Sequence, residues 1–223
     1  MIPIITIDGP VSSGKGTVAR QVAARLSWHL LDSGALYRVL GLHAQRLGVP
    51  LDDEMRLVDL AERLPVTFRE GKGDTVVILD GEDVGNEIRQ ERVGELASQV
   101  AVLQPVRDAL FARQRAFALA PGLVADGRDM GTVVFIDAPL KIYLTASAEE
   151  RARRRHAQLK EKGFGATLAT LIEDIRTRDE RDMKRDVAPL KAADDAVVVD
   201  STEMSVDQVV QRILDEAAAR SLT

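Results

Sequence analysis

Short apolar runs alternate along this chain with longer stretches in which apolar residues return every three or four positions. The runs at 2–7, 28–31, 123–125, 141–144 and 196–199, bounded by glycine or polar residues, predict strands. Val18, Val22, Ala23 and Leu26 share one helical face, and Leu36, Val39, Leu40, His43 and Leu47 repeat the pattern in the next segment. Segments 93–119, 148–162, 167–184 and 205–219 are helical in the same way. Strands separated by helices need crossover connections, which are right-handed and produce a parallel sheet covered on both faces. The expected fold is therefore α/β, a doubly wound sheet of five parallel strands within a single domain over 1–223. The stretch 48–90 breaks the alternation. There 65–69 and 75–79 read as two strands joined by a turn containing Gly71-Lys72-Gly73-Asp74, a small insert on the core.

The first strand leads into Ile7-Asp8-Gly9-Pro10-Val11-Ser12-Ser13-Gly14-Lys15-Gly16-Thr17, with a helical pattern after it. Gly9 and Gly14 let the backbone bend until several N–H groups point inward, the helix offers the positive end of its dipole, and Lys15 adds a mobile cation. Such a loop holds the phosphates of a nucleoside triphosphate. Gly9, Pro10, Val11, Ser12, Ser13, Gly14, Lys15, Gly16 and Thr17 are thus the candidate ATP-binding residues, with Lys15 also catalytic. One position departs from the usual phosphate-loop pattern: Gly16 stands where Ser or Thr is expected, and Thr17 follows it. The Gly-Lys-Gly-Thr ending is typical of nucleoside monophosphate kinases.

Composition narrows the chemistry. A chain of 223 residues with 45% hydrophobic and 29% charged content suits a soluble, well-cored domain. No apolar stretch approaches bilayer length and no basic leader precedes the first strand, so a cytoplasmic protein without membrane partners is expected. The absence of cysteine excludes disulfides and thiol catalysis, and His29, His43 and His156 lack ligand spacing. A net charge of -5 argues against nucleic-acid binding, so any affinity for anions must come from local arginine clusters. Nothing suggests an obligate interface, and a monomer is expected.

Several other groups fall where α/β folds bind ligands, at the carboxyl ends of the strands. Asp32-Ser33-Gly34-Ala35-Leu36-Tyr37-Arg38 ends the second strand, and Asp126-Gly127-Arg128-Asp129-Met130-Gly131-Thr132 follows the third. Two readings of Asp126 are open: with Thr17 it holds Mg²⁺, directly or through water, or it caps the next turn. Arg178, Asp182 and Arg185 recur at helical spacing with Arg181 beside them. That face suits phosphate and hydroxyl groups, although a solvated helix laced by ion pairs has the same pattern. Arg151, Arg153, Arg154 and Arg155 open a basic helical arm ending at Gly163-Phe164-Gly165, either a moving lid or an exposed helix.

With these residues in view, the chain resembles the bacterial cytidylate (CMP) kinases over essentially its whole length. The resemblance is carried by Asp8-Gly9-Pro10 with Gly14-Lys15-Gly16-Thr17, Leu30-Leu31-Asp32-Ser33-Gly34-Ala35-Leu36-Tyr37-Arg38, Gln99-Val100-Ala101, Val106-Arg107, Gln114-Arg115, 126–135 and 178–189. It implies a P-loop kinase core with a small mixed acceptor-binding insert over about 48–90 and a short lid over about 150–166. It further implies transfer of the γ-phosphoryl group of ATP to CMP or dCMP, with Mg²⁺, in pyrimidine nucleotide metabolism. Ser98, Arg107 and Asp129 resemble the cytosine-reading groups, with Ser33 and Tyr37 among the substrate contacts. Arg38, Arg128 and Arg185 resemble a clamp on the acceptor phosphate, and Arg178 with Asp182 a pentose contact. Arg128, Arg178 and Arg185 join Lys15 as catalytic residues, and Arg154 is the lid arginine expected on ATP. The loop alone does not separate CMP from UMP or a sugar as acceptor. A guanine-nucleotide switch would carry Asn-Lys-x-Asp, which this sequence lacks.

Overall fold

The computed structural model describes residues 2–70, 75–161 and 165–222. In chain order its elements are β1 (Ile4–Asp8), α1 (Lys15–Leu26), β2 (His29–Asp32), α2 (Ser33–Arg46), α3 (Glu54–Glu62), β3 (Val66–Glu70), β4 (Thr75–Leu79) and β5 (Glu82–Asp83). They continue with α4 (Glu91–Val100), α5 (Gln104–Arg115), β6 (Leu123–Gly127), a π-helical turn (Met130–Val134), β7 (Leu140–Thr145), α6 (Ala148–Glu161), α7 (Leu168–Lys184), β8 (Val197–Asp200) and α8 (Val206–Ala219). The chain forms two compact units, residues 1–32 with 115–223, and residues 33–114.

The first unit holds a five-stranded sheet in the order β2-β6-β1-β7-β8, with every neighbouring pair parallel. The chain steps outward from β1 to β2, returns to β6, and crosses to β7 on the far side of β1. The carboxyl end of β1 is therefore the switch point, where an open α/β sheet binds its ligand. Side-chain alternation then decides what faces what. Ile5 and Ile7 of β1, Val124 of β6, and Leu140, Ile142 and Leu144 of β7 pack with Val18, Val22 and Ala23 of α1 and with Val209, Val210 and Ile213 of α8. Asp126 lies two residues beyond Val124, so it shares the α1 side. Thr6 and Asp8 point the other way, toward the π-helical turn: a Cβ on Gly131 would lie 2.8 Å from Thr6 Oγ1.

The second unit contains α2–α4, α5 as far as Gln114, and the antiparallel sheet β3-β4-β5, with Val66 opposite Leu79 and Phe68 opposite Val77. These are the two strands expected within 48–90, and the Gly71–Asp74 turn lies outside the described residues. The pairing of β5 adds a third strand that the apolar pattern does not show, because Glu82 and Asp83 are both exposed. One helix expectation is corrected: 93–119 is two helices, interrupted between Val100 and Gln104. Pro105 explains the break, since it donates no N–H and its ring collides with the carbonyl four residues back, yet it is accepted in the first turn of α5. Helices expected from Thr167 and Ser205 begin one residue later, because these two residues cap them: Thr167 Oγ1 accepts from Thr170 N–H at 3.2 Å and Ser205 Oγ from Gln208 N–H at 3.3 Å.

Candidate active site

The phosphate loop leaves β1 at Gly9, where a side chain has no room: a Cβ there would fall 2.1 Å from the Leu144 carbonyl oxygen. Gly14, at φ 88°, occupies the left-handed region and caps α1, so the helix starts with its N–H groups turned into the loop. Ser13 N–H and Lys15 Nζ both donate to the Pro10 carbonyl, at 3.4 and 3.1 Å. Pro10 thus anchors the turn. Ser13 is buried, and its Oγ has no hydrogen-bond partner among the described residues.

Charge concentrates on Lys15. Burial, with Arg128 and Arg178, lowers its pKa to about 8 against the opposing pull of Asp126 and Asp32. Arg128 and Arg178 thus both act on the Lys15 ammonium by like-charge repulsion. An anion placed among them relieves that repulsion. Burial also pushes Asp126 upward, against the pull of Lys15. Its Oδ1 has no hydrogen-bond partner among the described residues, and its Oδ2 lies 3.1 Å from where a Cβ on Gly16 would stand. Gly16, not Thr17, is the loop residue set directly against Asp126, and Thr17 is exposed on the same first turn. A Cβ at position 16 would press on that carboxylate, which would have to give by a few tenths of an ångström.

Asp8, the last residue of β1, has a structural task that the sequence pattern does not reveal. Its Oδ1 and Oδ2 accept from Met130 and Gly131 N–H, each at 2.8 Å, and so pin the loop after β6 to the end of β1. Burial pushes Asp8 up to about 7 in spite of those two donors. Asp129, buried at the head of the same turn, has its carbonyl oxygen bonded by Val133 and Val134 N–H.

The basic face of α7 does not float in solvent. Asp182 Oδ2 accepts from Arg128 Nε at 2.5 Å, with side-chain exposures of 8% and 20%. Burial alone would raise the Asp182 carboxyl, but Arg128, Arg185 and Arg178 together hold it below the ordinary carboxylate range. Arg185 Nε donates to the Ala188 carbonyl at 2.6 Å just beyond the helix. Arg154, expected on ATP, is tied into the protein: its guanidinium donates to the Ser13 carbonyl at 3.1 Å, to the Ser201 carbonyl at 2.6 Å, and to Glu150 at 3.0 Å. The Gly163-Phe164 end of the expected lid lies outside the described residues.

Within the second unit, Arg107 is buried, stands 6.0 Å above the centre of the Tyr37 ring, and donates to the Ala101 carbonyl at 3.3 Å. Ser33 Oγ donates to Gln114 Oε1 at 2.8 Å. Arg38 donates to the Ile88 carbonyl at 2.7 Å, and a Cβ on Gly94 would come within 2.9 Å of its guanidinium. Gly94 costs helix propensity within α4, and its missing side chain leaves the Arg38 guanidinium its present position. Ser98 is half-buried one turn further along α4. The sequence signals for Gln114 and Gly94 were a polar residue in an apolar stripe and a glycine inside a helix.

Residues 5–219 match the profile of the family described as cytidylate kinase. The cytidylate kinase of Stutzerimonas stutzeri (strain A1501) is 62% identical, the alignment covering 99% of this chain and 97% of that protein. The cytidylate kinase of Pseudomonas putida is 59% identical, covering 100% and 98% respectively.

Proposed function

The chain belongs to the cytidylate kinase family, and we propose that it transfers the γ-phosphoryl group of ATP to CMP or dCMP, giving ADP and CDP or dCDP. The observation that carries the mechanism is the phosphate loop after β1, whose Lys15 ammonium feels the charges of Arg128 and Arg178. The acceptor is a phosphate monoester whose second ionisation lies near pH 6, so at neutral pH it is already a dianionic nucleophile and needs no general base. The protein's task is to bring two anions together in line and offset their charge. In this reading Gly9–Thr17 hold the triphosphate, Arg154 braces the loop on the ATP side, and Arg128, Arg185 and Arg38 clamp the acceptor phosphate. Arg178 and Asp182 take the pentose; Ser98, Arg107 and Asp129 read cytosine, with Ser33 and Tyr37 beside them. The insert over 48–90 serves the acceptor, and 150–166 is assigned as the lid on ATP.

Kinases of this family use ATP with a divalent metal. The residues present fit Mg²⁺ carried in on the nucleotide: Asp126 offers a buried oxygen lone pair beside Lys15, and Thr17 a hydroxyl on the adjoining turn. Bound there, the ion would neutralise charge on the transferring phosphoryl group. Among the described residues no group of three or more His, Cys, Asp or Glu could hold a metal ion without the nucleotide. Likewise no described helix is long and apolar enough to cross a membrane.

Base reading has a direct test. Cytosine presents an acceptor at N3 and an amino donor where uracil presents a donor and a carbonyl, so a site matched to one leaves buried groups unpaired with the other. Each mismatch costs about 1 to 3 kcal/mol, or roughly tens to tens of thousands of fold for the two together. Asp129→Ala and Ser98→Ala are expected to reduce kcat/KM for CMP more than for UMP and to narrow their ratio. An unchanged ratio in both variants removes these side chains from base recognition.

The lowered proton affinity of Lys15 sets a pH dependence. Below about 8 Lys15 is charged in the free protein; above it the proton is lost and must be taken up again when phosphates bind. Asp126, raised to about 7, acts in the same direction, because its ionisation adds a negative charge beside the phosphates. Affinity for metal-free ADP is therefore expected to fall as pH rises from 7 to 9.5, by about tenfold per unit at most for each group, with net proton uptake on binding. Calorimetry in buffers of different ionisation enthalpy reads both quantities. Constant affinity across this window contradicts the assignment.

A further inference from the structure

Arg151 is 5% exposed and spends four of its N–H groups on the protein. Nε donates to the Ala146 carbonyl at 2.9 Å, Nη1 to the Val11 carbonyl at 3.1 Å and to Asp179 Oδ1 at 3.0 Å, and Nη2 to Asp179 Oδ2 at 2.5 Å. The end of β7, helix α7 and the phosphate loop thus meet on one guanidinium. Val11 is seated a second time by its side chain, which packs with Ala148, Ala152, Leu171, Ile172 and Ile175 between α6 and α7. A loop that turns its N–H groups inward to phosphates turns carbonyls outward, and an outward carbonyl buried in protein needs a donor. Arg151 supplies one at Val11, and Arg154, three residues on, supplies another at Ser13.

We infer that Arg151, oriented by Asp179, is a positioning residue for ATP: it fixes the Val11 carbonyl outward and so holds the phosphate loop in its binding shape. The inference rests on the loop being the ATP site. Arg151 touches no substrate in this account and acts only through the loop.

Arg151→Lys tests this directly. Lysine keeps a cation opposite Asp179, but one ammonium does not span Val11, Ala146 and both carboxylate oxygens. The expected result is a KM for ATP raised at least about tenfold, a KM for CMP within about twofold of wild type, and a melting temperature lowered by only a few degrees. Asp179→Asn, which leaves the arginine but removes the charge that orients it, is expected to raise the ATP KM about three- to tenfold, and it decides the matter if the lysine variant does not fold. Calorimetric ADP affinity reads the same loss with no acceptor present, so the latch is judged even if the wild-type protein does not phosphorylate CMP. Wild-type ATP and ADP affinity in a folded variant overturns the inference. So does an equal rise in both KM values with a lowered melting temperature, which marks a displaced α7.

Discussion

Lys15→Ala is expected to cut turnover by roughly two to three orders of magnitude, equivalent to about 3 to 4 kcal/mol of transition-state stabilisation, in a protein that still folds. The size follows from position: Lys15 is a preorganised cation in a water-poor loop, beside Arg128 and Arg178, where negative charge builds up on the transferring group. Folding is spared because removing Lys15 relieves like-charge repulsion from those two arginines, and the bond of its ammonium to the Pro10 carbonyl is backed by Ser13 N–H on the same oxygen. Single-turnover rates with saturating ATP and CMP, alongside thermal melting, measure both parts. Near-normal turnover would remove the loop from the reaction.

Arg128→Ala is expected to lower kcat/KM for CMP by roughly two orders of magnitude or more, through both KM and kcat. Here stability also falls. Arg128 is a direct counter-charge to the buried Asp182, and stranding a buried carboxylate costs about 3 kcal/mol at the low end, or roughly 6 to 12 °C in melting temperature at this chain length. Arg178 and Arg185 remain near Asp182, which places the cost at that low end. The two effects separate in Arg128→Ala/Asp182→Asn: removing the stranded charge restores melting temperature and leaves activity low. Activity that returns together with stability would make Arg128 a structural residue.

The central sheet was legible because its inner strands β1, β6 and β7 are mostly buried on both faces, and all five strands read as short, mainly apolar runs between glycine and polar boundaries. Ile5, Ile7, Val124 and Ile142 are all fully or almost fully buried, and the predicted strands coincide with the observed ones to within two residues at either end. Two exposed residues pairing at the edge of a small sheet leave no such mark, so β5 was invisible. The interruption between α4 and α5 had its signal in Pro105, outweighed by apolar periodicity that continues on both sides of it. In the candidate site, residue types and spacing reveal which groups carry charge but not which of them face each other. Gly16 against Asp126, Asp8 on the amides of Met130 and Gly131, and Arg151 on Asp179 each join positions far apart in sequence, and only the fold brings them into contact. The arginines illustrate the limit. Arg151 to Arg155 read as one basic arm, yet Arg151 is buried, Arg154 grips the loop, and Arg153 is exposed with Glu150 as its partner.

The most direct test of the account is ADP formation from ATP and Mg²⁺, followed in a coupled assay with CMP, dCMP, UMP, AMP and GMP offered one at a time and with no acceptor. The account predicts rapid ADP release with CMP and dCMP, matched mole for mole by CDP or dCDP, much slower turnover with UMP, and none above background with AMP, GMP or water. ADP formed at the same rate without an acceptor, or a preference for any other monophosphate over CMP, would contradict it.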